Sequence, residues 1–380
     1  MAVGKQHEQA DIAIIGAGIM GLALAYTALR AGRKVVVFER DTRPVSASIR
    51  NFGMVWPVGQ AAGPSLQRAL KSRRIWGEVA AEAGIWHDPS GSMLAAYHAD
   101  EWEILQEFMT DAPAKGYDCR LLSPGEALAL SPCLRAEGLL GALFSSTEMI
   151  VDAREVPERL IPWLAARGVV FRLGTAVTSL ENSVIETATE TWSYGHAYVC
   201  CGSELETLFP EVFEGSGITK VKLQMMRTAP QPGNWRMGPA LCAGLTLSHY
   251  SSFAHCKGLK SFRERISETA PWFVDWGIHV MMSQNGRNEL VIGDSHEYGG
   301  SHDPFIREDI NTWIIDYLNG FVQTPAPEIT DRWYGVYAKV PGRTEFIARP
   351  RPDVTVVTGL GGAGMTLSFG LADDVLNGNI

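Results

Sequence analysis

Asp11-Ile-Ala-Ile-Ile15 runs directly into Gly16-Ala-Gly18-Ile-Met-Gly21, and this stretch decides the fold. The apolar run is short and rich in β-branched residues, so it reads as a central parallel strand buried on both faces. A helix-like stretch, Leu22 to Ala31, follows and stops at Gly32, a C-cap residue. Lys34-Val-Val-Val-Phe-Glu39 is then a second strand that ends in an acid. Each part has a physical task in holding a dinucleotide. Gly16 allows the tight turn, Gly18 admits a pyrophosphate to the backbone, and Gly21 lets the helix pack close to the strand. The helix start, with Ile19 and Met20, offers free N–H groups and the positive end of its dipole. Glu39 follows Gly18 by about 20 residues, where a carboxylate accepts hydrogen bonds from an unphosphorylated ribose diol. Arg40 adjoins it in the same candidate set. This unit leaves NAD and FAD both open.

Later segments favour the larger cofactor. Ser46-Ala-Ser48-Ile-Arg50-Asn51-Phe-Gly53 is rich in small and polar residues and suits a loop that wraps a second part of a cofactor. Val151–Pro157 and Gly168–Val177 read as a helix, a strand and a turn into another strand, and His196-Ala-Tyr-Val-Cys-Cys201-Gly202 as a returning strand. Near the C-terminus, Asp353-Val-Thr-Val-Val-Thr358 leads into Gly359-Leu-Gly361-Gly362-Ala363-Gly364-Met365-Thr366. Four glycines so close together are costly in entropy, and a second close ligand approach accounts for them. A helix N-terminus there suits a developing negative charge.

Composition bounds the remaining classes. The chain has 380 residues, 46% of them apolar and 20% charged, enough for a two-domain globular protein with an ample core. Its net charge of −9 argues against nucleic acid as a partner. The six cysteines form no C-x-x-C, and no His/Cys group has metal-ligand spacing, so neither a disulfide framework nor a metal centre is expected. Ile12 to Leu29 carries no charge, but it holds three glycines and lacks a positive n-region apart from Lys5, so it reads as neither signal peptide nor membrane span. The expectation is a soluble, cytoplasmic protein.

Together the N-terminal fingerprint, the loop through Asn51, the Val151–Val177 stretch and the Gly359–Ser368 turn resemble the FAD-dependent D-amino-acid oxidase family, which includes glycine and sarcosine oxidases. The resemblance implies an α/β plus α+β fold. A discontinuous Rossmann-like FAD-binding domain would take residues 1–85, 148–215 and 332–380, and an antiparallel-sheet substrate domain 86–147 and 216–331. It assigns ADP to Gly16, Gly18, Gly21 and Glu39, an adenine contact to the Val177 backbone, and the isoalloxazine to the turn through Gly361, Gly362, Ala363, Gly364, Met365 and Thr366. Ser48, Arg50, Asn51, Cys201 and Gly202 complete the cofactor set. Sarcosine oxidases link flavin covalently through a Cys two residues before a Tyr. Trp333-Tyr-Gly335-Val-Tyr337-Ala-Lys339 has Gly335 there, so FAD is expected to bind non-covalently. They also place a Lys where this chain has Thr366, so their substrate-carboxylate contacts do not carry over.

The family reaction removes a hydride from an amine-bearing carbon to flavin N5, and water hydrolyses the resulting imine. His249, His296, Tyr337 and Lys339 are the catalytic candidates, and Arg50, Lys222, Arg227, Tyr250 and Arg343 the substrate candidates, the arginines suiting carboxylate or phosphonate oxygens. Lys222–Thr228, Leu245–Tyr250 and Ile292–Tyr298 look like a bacterial subgroup associated with phosphonate degradation, for which an aminophosphonate substrate is implied. The expected substrate is therefore a small anionic amine, with oxygen or another acceptor reoxidising the flavin. The rivals are a flavoenzyme acting on a C–O bond (2-hydroxy acid or glycerol phosphate type), an NAD-dependent dehydrogenase, and a flavin-binding protein without turnover.

Overall fold

A computed structural model describes residues 6–380. Residues 1–5 of the expected first segment, Lys5 among them, lie outside the described residues. Among those described, eight strands form the first sheet, in the order Val177–Glu181, Val184–Thr187, Glu190–Val199, Gln6–Ile15, Val35–Glu39, Val170–Leu173, with Val354–Thr358 and Phe346–Arg351 joined at Glu190–Val199. Gln6–Ile15 is parallel to both neighbours, and Ala13 and Ile14 are fully buried, as a continuous apolar run requires of a central strand. The first helix spans Ile19–Arg30 and begins directly at Gly18, three residues before the expected start. Gly21 therefore lies inside the helix. A Cβ there would stand 1.9 Å from the Gly16 carbonyl oxygen, so only glycine lets helix and strand approach this closely.

A second sheet of nine strands is antiparallel except where Ala240–Ala243 runs parallel to Ser92–Ala96. Its longest ladder joins Thr219–Thr228 to Ile329–Lys339, from Thr219 opposite Lys339 to Thr228 opposite Ile329. After Lys339 the chain returns to the first sheet with Phe346–Arg351. A small sheet of Met54–Val55, His87–Asp88 and Met149–Val151 ties three distant segments together.

The helices Pro64–Ala83 and Gly364–Leu376 pack along a shared seam. Trp76, fully buried, donates its indole N–H to the Met365 carbonyl at 2.7 Å and meets Phe369 edge-on at 4.8 Å. Arg68 reaches Asp374 at 2.7 Å and Glu345 at 2.9 Å, and Lys71 reaches Asp373 and Asp374 at 2.9 and 2.7 Å. Lys71, Arg73 and Arg74 read from the sequence as a solvated face of the first of these helices. Only Arg74 lies there, paired with Glu78, because Lys71 bridges the seam and Arg73 donates to the Thr147 carbonyl. The seam anchors the helix that follows the C-terminal glycine turn. Trp76→Ala, which empties the largest side chain in it, is expected to lower the unfolding free energy by about 3–5 kcal/mol in urea titrations.

Candidate active site

The dinucleotide cradle forms where three strands end. Gly16 has φ +103°, and a Cβ on it would lie 2.4 Å from the Cys200 carbonyl oxygen. Glu39 is locked beside the turn, its Oε2 accepting from the Ala17 N–H at 2.9 Å and its Oε1 from the Asp41 N–H at 3.1 Å. Thr175 donates its N–H to the Glu39 carbonyl, which brings the strand opening at Val177 alongside. Gly202 accepts a 2.6 Å bond from the Thr358 hydroxyl, while Cys201 is half-buried and Arg40 exposed. Ser48 caps the helix start, accepting from the Ile19 N–H at 2.8 Å. A Cβ on Gly18 would come within 3.2 Å of that hydroxyl oxygen and fill the space before the helix N-terminus. The Met20 side chain is core and only its backbone faces this region. The cradle, its helix dipole and the fixed carboxylate suit an adenosine diphosphate.

From Ser48 a cavity of about 560 Å³ opens between the two sheets. Ile19, Ser48, Arg50, Asn51 and the turn Leu360–Thr366 line one side. Leu223, Met225 and Met281 line the other. The glycine turn is held against the second sheet by a bridge between Leu360 and Lys339, and a Cβ on Gly362 would stand 3.5 Å from the Tyr337 hydroxyl. Thr366 also has a structural task, its hydroxyl accepting from the Trp56 N–H at 2.9 Å. None of the six cysteines, all free thiols, lines the cavity.

Three histidines and one carboxyl make the wall. His249 stacks on His279 with ring centres 3.9 Å apart, and His279 on His296 at 5.2 Å. His279 and Asp294 exchange two backbone hydrogen bonds just beyond the paired strands Met281–Gln284 and Leu290–Gly293, and their side chains meet with Nε2 3.1 Å from Oδ1. The other Asp294 oxygen faces His296 Nε2 at 4.0 Å, while His296 Nδ1 is bonded to the Gly277 carbonyl at 2.9 Å. His249 is exposed and opens onto the cavity, while His279 and His296 are buried. Loss of bulk water around the wall pushes His249 and His279 well below the usual histidine range and His296 down to about 4, with Lys339 lowering all three further. Burial also raises the Asp294 carboxyl well above the usual range. Two imidazolium charges about 4 Å apart would repel by about 4 kcal/mol at an effective dielectric of 20, so without a carboxylate to offset one of them the wall carries at most one. The three histidines bring ring nitrogens within 4.8 Å of one another, a cluster that sequence spacing did not show. A metal needs lone pairs meeting at one point about 2 Å away, whereas these stacked rings direct theirs along neighbouring planes.

Of the sequence candidates, His249, His296, Tyr250, Tyr337, Lys339, Arg50 and Arg343 meet on this cavity. Arg50 spends its guanidinium on the Val45 and Tyr334 carbonyls, at 2.7 and 3.1 Å. Arg343 is exposed after its turn, and Lys339 donates to the Tyr298 hydroxyl at 3.0 Å. Tyr250 donates to the Met281 sulfur and stacks on Trp56. Lys222 and Arg227 are not brought to the cavity. The Lys222 ammonium is buried against the Asp303 and Phe305 carbonyls, and Arg227 pairs with Asp331 and Glu289 in a separate pocket. Sequence reasoning missed His279 and Asp294. Asp294 stands two residues before His296, a spacing that could have found it, but His279 had no local signal.

A family model described as DAO, FAD dependent oxidoreductase, matches residues 11–376. The chain is similar to a glycine oxidase of Geobacillus kaustophilus, 26% identical over 235 residues that cover 58% of this chain and 62% of that protein. A Bacillus licheniformis glycine oxidase is also 26% identical, over 53% of this chain and 56% of that protein. The match thus spans less than two thirds of these relatives. Among solved structures, the Geobacillus kaustophilus glycine oxidase superposes with a TM-score of 0.77 at 20% identity, covering 97% of this chain and 94% of that one. An L-proline dehydrogenase from P. horikoshii gives 0.77 at 18%, covering 98% and 95%. An iminodiacetate oxidase from Chelativorans gives 0.74 at 19%, covering 97% and 95%. These superpositions show the shared fold.

Gly18→Val is expected to abolish FAD binding, because its side chain would occupy the pyrophosphate space. Full flavin content in the purified variant would overturn that assignment. The buried histidines also make stability pH-dependent. Their folded values lie below the unfolded value of about 6.5, so the unfolded chain binds more protons as pH falls. Stability is therefore expected to fall from about pH 6.5 down to about 4, the His296 value, and less steeply in His296→Phe, as read by chemical unfolding across that range.

Proposed function

The chain belongs to the DAO family of FAD-dependent oxidoreductases, and from that premise we propose that it oxidises the C–N bond of a small anionic amine, an amino acid or an aminophosphonate. The observation that carries this reading is the stacked wall of His249, His279 and His296 beside Lys339 and Arg343 on one cavity. An aliphatic ammonium has a pKa of about 10 and must lose its proton before its carbon can give up a hydride. A neutral imidazole facing the cavity, His249, is placed to take that proton, while Lys339 and Arg343 attract the anionic head. Bound FAD would supply the acceptor for the hydride, and water would hydrolyse the imine to a carbonyl and free amine or ammonia. Ser48, the turn Gly361–Thr366 and the cradle Gly16–Gly21 would hold the cofactor non-covalently, with Gly335 in the place of the linking cysteine. Leu223, Met225 and Met281 keep the far side apolar and exclude water.

The names of the similar proteins support an amine or amino acid, since glycine oxidase, iminodiacetate oxidase and L-proline dehydrogenase are among them. A glycerol 3-phosphate dehydrogenase of Caloramator mitchellensis, 22% identical over half of this chain, keeps the C–O reading as the alternative.

The test is anaerobic bleaching of the FAD-loaded protein. The panel is D- and L-amino acids, glycine, sarcosine, 2-aminoethylphosphonate with its N-methyl and hydroxy relatives, 2-hydroxy acids and glycerol 3-phosphate. Rapid bleaching by one amine class is expected, and bleaching only by a hydroxy compound would replace the reading with the alternative. His249→Ala should slow reduction by about 10²-fold or more, the usual contribution of a general base, with unchanged FAD content. Reduction at the unaltered rate would remove His249 from the chemistry.

A further inference from the structure

His279 and Asp294 remain without a task in the reaction as proposed. Both are buried, with side chains 5% and 8% exposed. Burying such groups is costly unless their bonding is satisfied, and among the described residues His279 Nδ1 and Asp294 Oδ1 have no hydrogen-bond partner of good geometry. Their backbones exchange two hydrogen bonds, at 3.2 and 2.8 Å, which fixes the side chains against each other at 3.1 Å. On the cavity side the His279 ring supports His249 face to face.

We propose that His279 and Asp294 are a positioning pair that holds one proton between Nε2 and Oδ1 and lets His249, stacked above, accept the proton of an incoming ammonium. The inference rests on the amine-oxidising reading. In the step itself the substrate N–H bond breaks and an N–H bond forms on His249, leaving a neutral amine and an imidazolium. Before the step the pair and the rings are together uncharged. After it, the pair's proton moves from Oδ1 to Nε2, and the Asp294 carboxylate so formed, 3.1 Å from His279, offsets one of the two ring charges, so the wall gains a single net charge. Asp294 suits this role because it touches two histidines, with Oδ1 toward His279 and Oδ2 toward His296. The other groups that face the cluster are Lys339 and Tyr337 from the strand Ile329–Lys339 and Tyr250 beside His249. Lys339 disfavours extra positive charge, and burial holds both phenols protonated, so neither competes for the proton.

The sign of the expected effect follows. Asp294→Asn keeps the volume but leaves no carboxyl able to ionise under His249, so the imidazolium becomes harder to form. Amine-driven flavin reduction in the FAD-loaded variant should slow by roughly 10-fold, part of a general base's contribution, and its acid limb should move to lower pH. His279→Phe, which keeps a ring under His249, should behave alike, so the test survives if one variant fails to fold. A slower rate with the limb unmoved, or an unchanged rate, would overturn the proposal.

A second readout needs no substrate. In ¹⁵N-histidine NMR titrations of the FAD-loaded protein, His249 and His279 should change together at one shared midpoint, which shifts downward in Asp294→Asn. Independent titration of the two rings, unaffected by that substitution, would overturn the pairing. If no amine bleaches the wild-type protein but the rings titrate together, the substrate reading fails and the pair stands. If amines bleach it and the rings are independent, the pair alone fails.

Discussion

The ladder between Thr219–Thr228 and Ile329–Lys339 is the constraint on which the site depends. Side chains alternate along a strand, so Gly335, Tyr337 and Lys339 share one face, and all three line the cavity. Leu223 and Met225 do the same from the paired strand. The ladder ends at Lys339, where the bridge to Leu360 pins the C-terminal glycine turn to the same surface. Two sheets that meet through a single strand end therefore close around one space, and a one-residue slip would turn Tyr337 and Lys339 away from it.

The same alternation explains where the reading from sequence failed. Lys222 and Arg227 stand out as anion holders through the resemblance of Lys222–Thr228 to the subgroup associated with phosphonate degradation. Once Leu223 and Met225 face the cavity, Lys222 must face the other way, and there it meets the Asp303 and Phe305 carbonyls. Arg227 shares the parity of Leu223 and Met225 but lies beyond the cavity's edge, where Asp331 and Glu289 neutralise it. Residue type was legible in the sequence, but the phase of the strand was not.

The dinucleotide unit was readable because all its parts are local. Gly16, Gly18, Gly21 and Glu39 stand within one strand–helix–strand passage, so their spacing carries the signal, although Gly16 also faces the Cys200 carbonyl and Gly18 the Ser48 hydroxyl. The histidine wall is the opposite case. His249, His279 and His296 come from three separate segments, and what joins His279 to the segment of His296 is a pair of backbone hydrogen bonds to Asp294 just past the strand ends. Only the Asp294–His296 spacing left a trace in the sequence, and it was not followed. The basic residues on Pro64–Ala83 show the same limit, since the acids that claim Lys71 lie near the other end of the chain.

Gly335 links the cofactor and the fold. Its Cβ position lies 3.4 Å from the Arg50 Cβ, so the loop carrying Ser48, Arg50 and Asn51 packs directly on the strand there. Arg50 fastens that contact from both sides, with one bond back to Val45 and another across to Tyr334. The Cβ position at Gly335 is in ordinary van der Waals contact and is not a clash, so the loop's place is set by Arg50, which holds the loop and is not free to bind substrate.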